Sequence, residues 1–393
     1  MSTFIKIILF LFILFQNLQA CRLWAICTKS NNTFLSISQS DRQEIENQLD
    51  IFYQQSGSML NGWSLLCYNG LEQDSVSPIY RSPIPANNDS LNYWSSVETI
   101  LNTEEGKIGL GHLRLASSGS QSIPNPHPWM FYQDSSSFSL IHNGTVNKEL
   151  LYDLITKDGS DLSWLELYPP QTFGEGEWNG SGWSNVVDSE LILLHIMQEI
   201  NILNDILDGF QSAINNIVNA GTNANQLNLI FSDGNILMAF GGANGLYYKE
   251  FPQHFSIMTQ PPNSEGHIWE SLGHQELILI NYDTIYHYPD FITSGVDDND
   301  TPLYPVSFVL SPGYPNPFNG YVTFLLDPSI VGYVQLYIRN INGKQVDYLI
   351  FNASGADGQN IRWSPSPNLA SGNYFVTAQF KNNTQTSKIL FIK

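Results

Sequence analysis

The chain has 393 residues with 36 acidic against 16 basic side chains, and a formal net charge of -20 speaks against nucleic-acid phosphates and anionic lipid surfaces as partners. Three cysteines are too few for a disulfide framework, so folding depends on apolar burial, for which 42% hydrophobic residues with nine Trp and 22 Phe are ample. At this length two domains are expected.

Residues 1–20 read as a secretory signal peptide. Lys6 is its only charge, Ile7 to Phe15 form an apolar run, and a polar stretch ends in the small residue Ala20. The run is too short to cross a bilayer, which takes about 20 residues, so no membrane span is expected. Cleavage after Ala20 would leave Cys21 with its thiol and a free α-amine on one residue, the amine serving as general base for the thiol. Leu18-Gln19-Ala20-Cys21 also fits the bacterial lipobox, in which that cysteine is lipidated and its amine blocked. Local sequence leaves both open.

From Cys21 to Ile26 the pattern is a strand, followed by a polar turn and a second strand over Phe34 to Ser38. Asp41 to Gln54 has helical apolar spacing at Ile45, Leu49 and Phe52. Further strands are expected at Trp63 to Tyr68, Ile108 to Leu115 and Phe138 to Val146. Ser189 to Val218 carries too broad an apolar face for a surface helix, and Leu227 to Tyr288 is mostly strand. Strands, helices between them and strands again predict an α+β domain of antiparallel sheets covered by helices over 21–290. Cys27 and Cys67 read as small core residues rather than a bridge. The polar, acidic segment 291–305 is expected to be a linker, and 306–393 consists of short alternating strands punctuated by turns, the pattern of an immunoglobulin-like β-sandwich.

Four local patterns carry chemistry. They are Cys21-Arg22; Gly111-His112-Leu113-Arg114-Leu115-Ala116-Ser117-Ser118-Gly119; His142-Asn143-Gly144-Thr145-Val146; and Val187-Asp188-Ser189-Glu190. In this order they resemble the class II glutamine amidotransferases, the N-terminal-nucleophile glutaminases. The resemblance implies a four-layer αββα sandwich of the Ntn-hydrolase kind. It also implies Cys21 as nucleophile, Asn143 and Gly144 as the oxyanion hole, Arg114 on the substrate α-carboxylate and Asp188 on its α-ammonium. Ser117 and His127, the latter in a Pro126-His127-Pro128 loop, would lie on the substrate side. A planar guanidinium suits a bidentate carboxylate clamp, and an oxyanion needs donors already in place. Each residue has an ordinary reading too: Arg114 as a strand arginine in an ion pair, Asn143-Gly144 as a turn, and Asp188 as a helix cap.

No cofactor or metal is called for, since His112, His127 and His142 lack metal-ligand spacing and read as structural. The Asn-Gly-Thr triplet at Asn143, like those at Asn31, Asn88, Asn179 and Asn352, reflects an Asn- and Ser-rich composition. Leu115 departs from the tryptophan often found after the arginine in synthase-linked members. No synthase region is recognisable, so hydrolysis of glutamine or a γ-glutamyl amide is expected rather than nitrogen transfer. The resemblance requires a free amine on Cys21 and so favours ordinary cleavage over lipidation. The alternative is a lipid-anchored or catalytically degenerate module of this fold that binds an amino acid or peptide.

At the other end, Tyr314-Pro315-Asn316-Pro317-Phe318-Asn319, Ile341-Asn342-Gly343-Lys344-Gln345-Val346 and Leu369-Ala370-Ser371-Gly372-Asn373-Tyr374-Phe375 resemble the C-terminal sorting domain of the type IX secretion system. That resemblance implies the type IX machinery as partner and export to the periplasm, cell surface or medium.

Overall fold

The computed structural model describes residues 21–29, 32–69, 79–102, 105–117, 127–133, 136–173, 175–242, 245–262, 268–281, 283–292, 310–326, 331–354, 359–380 and 383–393. The expected signal peptide, Ser118, Gly119, Pro126 and nearly all of the expected linker lie outside them. The chain divides into two compact units between Ser294 and Gly295.

The first unit is built on β1 (Arg22–Thr28), α1 (Gln39–Gln55), β2 (Trp63–Asn69), β3 (Tyr80–Ser82), α2 (Ser90–Asn102) and β4 (Gly106–Leu113). Next come β5 (Trp129–Gln133), β6 (Ser136–Asn143), α3 (Lys148–Thr156), α4 (Ser163–Leu167), α5 (Asp188–Leu203) and α6 (Ile206–Asn219). It ends with β7 (Asn228–Ser232), β8 (Ile236–Phe240), β9 (Tyr247–Glu250), β10 (His254–Met258), β11 (Glu270–Ser271), β12 (Leu277–Asn281) and β13 (Thr284–Tyr288). The strands form a seven-stranded sheet, β11-β9-β10-β1-β4-β2-β3, and a six-stranded one, β13-β12-β8-β7-β6-β5. Every pairing within them is antiparallel.

Strand β1 is apolar on both faces because both are covered. Trp24 and Ile26 join Ile45, Leu49 and Phe52 of α1 and Tyr93, Val97 and Ile100 of α2 in one core. Leu23, Ala25 and Cys27 join Ile141 of β6, Ile230 of β7 and Ile280 of β12 in a second core between the sheets. Full burial of side chains such as Leu49 and Phe52 contributes about 1.5–3 kcal/mol each, which holds a helix as polar as α1 on its sheet. Cys27 and Cys67 fall in different cores on opposite faces of one sheet, and both are free thiols.

One expectation is revised. Phe34 to Ser38 is a turn rather than a strand, because the Ser36 hydroxyl accepts from the Thr33 N–H at 2.7 Å and Ser38 caps α1, accepting from the Asp41 N–H at 3.1 Å. The broad apolar stretch 189–218 is two helices, α5 and α6, broken at Asn204 with φ of 52° and restarted by the Asp205 cap. They touch so closely that a Cβ on Gly209 would stand 2.5 Å from the Ile200 Cα, which only glycine tolerates. Helices α5 and α6 line the second sheet, with Phe210 of α6 ring to ring with Phe231 of β7 at 5.7 Å.

The second unit has β14 (Val322–Leu325), β15 (Val331–Asn340), β16 (Gln345–Ser354), β17 (Asn360–Trp363), β18 (Gly372–Phe380) and β19 (Asn383–Phe391). They form a two-stranded sheet, β14-β17, and a four-stranded sheet, β16-β15-β18-β19. Val322, Phe324, Ile361 and Trp363 of the first share one core with Leu336, Ile338, Val376 and Ile389 of the second.

Candidate active site

Strand alternation decides what meets Cys21. Leu23, Ala25 and Cys27 face the space between the sheets, so Cys21, two residues ahead of Leu23, falls on that face at the strand's leading end. In β4, Ile108 and Leu110 face the same space, and Arg114 follows them with the same period. The β1–β4 register pairs Arg22 with Leu113 and Leu23 with His112, so one step further along Cys21 stands opposite Arg114. The main chain of Arg114 is held by the loop before β2, its N–H donating to the Gly62 oxygen at 2.9 Å and its oxygen accepting from the Asn61 N–H at 3.0 Å.

Leu115 grips the thiol from both sides. Its N–H points at Sγ from 3.3 Å, while Sγ–H donates to its oxygen at 3.5 Å. Burial pushes the Cys21 thiol above its ordinary pKa, against the pull of the Leu115 N–H and the Arg114 charge, and Asp188 pushes it up as well. Burial also lowers the Arg114 pKa, opposed by attraction to Cys21 and Asp188.

Asp188 opens α5 without capping it: the N-cap is Val187, and the buried carboxylate accepts from the Val146 N–H at 2.9 Å. That bond ties it to the segment following Asn143 and Gly144. Asn143 ends β6 on the face of Ile141, toward the other sheet. Gly144 has no room for a side chain, since a Cβ there would lie 1.8 Å from the Gln226 oxygen. Ser117, just past Arg114, shares a 2.8 Å hydrogen bond with the Thr145 hydroxyl and so joins the two segments. The structure thus gathers Cys21, Arg114, Asp188, Asn143, Gly144 and Ser117 at the same end of the two sheets.

His127 sits differently. It is buried, with its ring 4.2 Å from that of His112 and the two Nδ1 atoms 3.4 Å apart. Burial drives both histidines well below the ordinary histidine pKa, so they pack as neutral rings. His142 faces the helices instead: Nε2 donates to the Gln226 oxygen at 2.7 Å, which leaves Nδ1 to accept from the Ser189 hydroxyl at 2.9 Å. Among the described residues, no group of three or more His, Cys, Asp or Glu is placed to hold a metal ion, and no helix is long and apolar enough to cross a membrane.

Sequence reasoning gave no role to the Leu115 main chain, to Gln226, to Asn228 or to the Glu190 carboxyl. The first three act through main-chain atoms or on them, which leaves no residue-type signal. Glu190 is buried, with both carboxylate oxygens 3.1 Å from the Gln171 N–H; burial pushes it up to about 8, against the pull of that N–H and of Arg81. Because its folded pKa lies above the unfolded value of about 4.3, its stability contribution is complete below that value and is lost as pH rises through about 8. Glu190→Gln is expected to flatten the fall in melting temperature between pH 5 and 9. An unchanged slope in thermal melts would rule out this assignment.

Comparison with known proteins finds similarities in both parts of the chain. Residues 313–393 match the family model of the secretion system C-terminal sorting domain. Export to the cell surface or extracellular space follows. Among solved structures, a glutamine aminotransferase class-II domain protein from Silicibacter pomeroyi is similar over 68% of this chain and 97% of its own, at 17% identity and a TM-score of 0.42. A predicted glutamine amidotransferase from Pseudomonas aeruginosa is similar over 68% of this chain and 98% of its own, at 13% identity and a TM-score of 0.36. An uncharacterised protein of Methanocaldococcus jannaschii is 27% identical over 173 residues, which are 41% of this chain and 44% of that relative. The match therefore spans less than half of the relative's length.

Proposed function

We propose that the exported chain is an amide hydrolase resembling the class II glutamine amidotransferases. Cleavage after Ala20 would leave Cys21 as nucleophile, on an Ntn-type αββα domain carried ahead of an immunoglobulin-like sorting sandwich. The observation that supports this reading is the contact of the Cys21 thiol with the main chain of Leu115, the residue next to Arg114, with the charges of Arg114 and Asp188 both acting on the thiol. A cation and an anion beside one thiol match the two poles of a free amino-acid head group, which would hold the side-chain amide at a fixed distance from Sγ.

A thiol with a raised pKa is protonated at neutral pH and needs a base. The α-amine supplies it only after cleavage, because in the precursor that nitrogen is a peptide nitrogen. In the proposed reaction the amine takes the thiol proton and Sγ attacks the amide carbon. The carbonyl electron pair moves to oxygen, held by the Asn143 side-chain amide and the Gly144 N–H. Collapse breaks the C–N bond, and the nitrogen leaves as ammonia or an amine with the proton returned by the α-ammonium. Water, deprotonated by the same amine, then cleaves the thioester to a carboxylate and the free thiol. No cofactor enters these steps.

Assays of ammonia or amine release from glutamine and γ-glutamyl amides test the reading. Arg114→Lys keeps the charge but loses the bidentate fork, so substrate binding should weaken by about 1–3 kcal/mol. An unchanged KM in that variant would remove Arg114 from the head-group clamp.

A further inference from the structure

We propose that Asn228 and Gln226 are positioning residues that set the direction of the Gly144 N–H, an inference that rests on the reading of Asn143 and Gly144 as the oxyanion-binding pair. Asn228 is fully buried where β7 meets the end of β6, directly opposite Asn143 in register. Its Nδ2 donates to the Asn143 oxygen at 3.0 Å, and its Oδ1 accepts from the Gly242 N–H at 2.9 Å. Both ends of this amide are therefore fixed. The Asn143 oxygen and the Gly144 N–H belong to one planar trans peptide and point in opposite directions. By holding the oxygen, Asn228 turns the N–H to the other side.

Gln226 secures the next peptide. It closes the single turn Ala224–Gln226 before β7, and its Oε1 accepts from the Thr145 N–H at 3.1 Å. Its main-chain oxygen is pinned by His142 Nε2–H at 2.7 Å and lies directly under the Gly144 Cα, where a Cβ would approach to 1.8 Å. The donor peptide is thus bracketed by an amide on its carbonyl side and a second amide one residue on. Such a donor needs no reorientation when negative charge develops, the condition for strong oxyanion stabilisation.

The test measures kcat and KM for a γ-glutamyl amide, together with affinity for an aldehyde analogue of the side-chain amide. Addition of the Cys21 thiol to the aldehyde forms an S–C bond and converts C=O into an oxyanion at the same place, without turnover. Gln226→Met, which loses the acceptor at similar size, should lower kcat and aldehyde affinity together by about 10- to 100-fold while KM stays within about twofold. Gln226→Glu keeps an acceptor oxygen and should recover most of the loss. Asn228→Asp keeps the acceptor for Gly242 but loses the donor, and should behave like Gln226→Met; if it fails to fold, the two Gln226 variants decide alone. Equal kcat in Gln226→Met and in an active wild type would overturn this inference and leave the hydrolase reading standing. A wild type that neither turns over nor forms the aldehyde adduct would overturn both.

Discussion

Cys21→Ala in the mature protein should abolish release of ammonia or amine from any γ-glutamyl amide, by about 10⁴-fold or more, while substrate binding stays measurable. The substitution removes only Sγ. Arg114 and Asp188 keep their places, because the Arg114 main chain is held by Asn61 and Gly62 and the Asp188 carboxylate by the Val146 N–H. The proposed head-group clamp therefore survives without the group it would serve, and binding and turnover should separate. Calorimetry with an uncleaved substrate reports the first and an ammonia assay the second. Residual turnover close to wild type would mean that another group performs the chemistry.

Gly144→Ala should produce the second-largest loss. The new methyl would stand 1.8 Å from the Gln226 oxygen, 2.6 Å from the Gln226 carbonyl carbon and 2.9 Å from His142 Nε2. None of these gives way easily, since the oxygen is main chain and is itself bonded to His142. Relief has to come from the Asn143–Thr145 segment, which carries the proposed oxyanion donor. Turnover should fall by about 10²-fold or more, with overpacking costing about 1–3 kcal/mol of stability. Substrate binding should change far less, because neither pole of the clamp is on this segment. Wild-type turnover in Gly144→Ala would show that the Gly144 N–H takes no part in the reaction.

Where the residues of the candidate site lie is partly legible in the sequence, for a physical reason. Period-two alternation in β1 and β4 places Cys21 and Arg114 on the face of Leu23 and Leu110 once the strands are recognised. The register that sets one opposite the other is not legible, because pairing partners depend on sheet order. Asn228 and Gln226 were hidden by composition: in a chain rich in Asn and Gln, one amide that holds a peptide plane looks like any other. Helix α2 was unmarked because Ser90–Asn102 contains three serines and two asparagines, weak helix formers, and is held by the packing of Tyr93, Val97, Ile100 and Leu101. Phe34 to Ser38 misled in the opposite way, since Leu35-Ser36-Ile37-Ser38 alternates apolar and polar residues as a strand does while serine hydroxyls fold the segment into a turn.

Whether Cys21 works through its own free amine is read from the mass of the mature N-terminal peptide recovered from the native host. The expected peptide begins at Cys21 with an unmodified amine and gains a glutamyl thioester increment on that residue after brief exposure to substrate. An acyl or diacylglycerol increment on Cys21, or a mature chain that begins elsewhere, would contradict it.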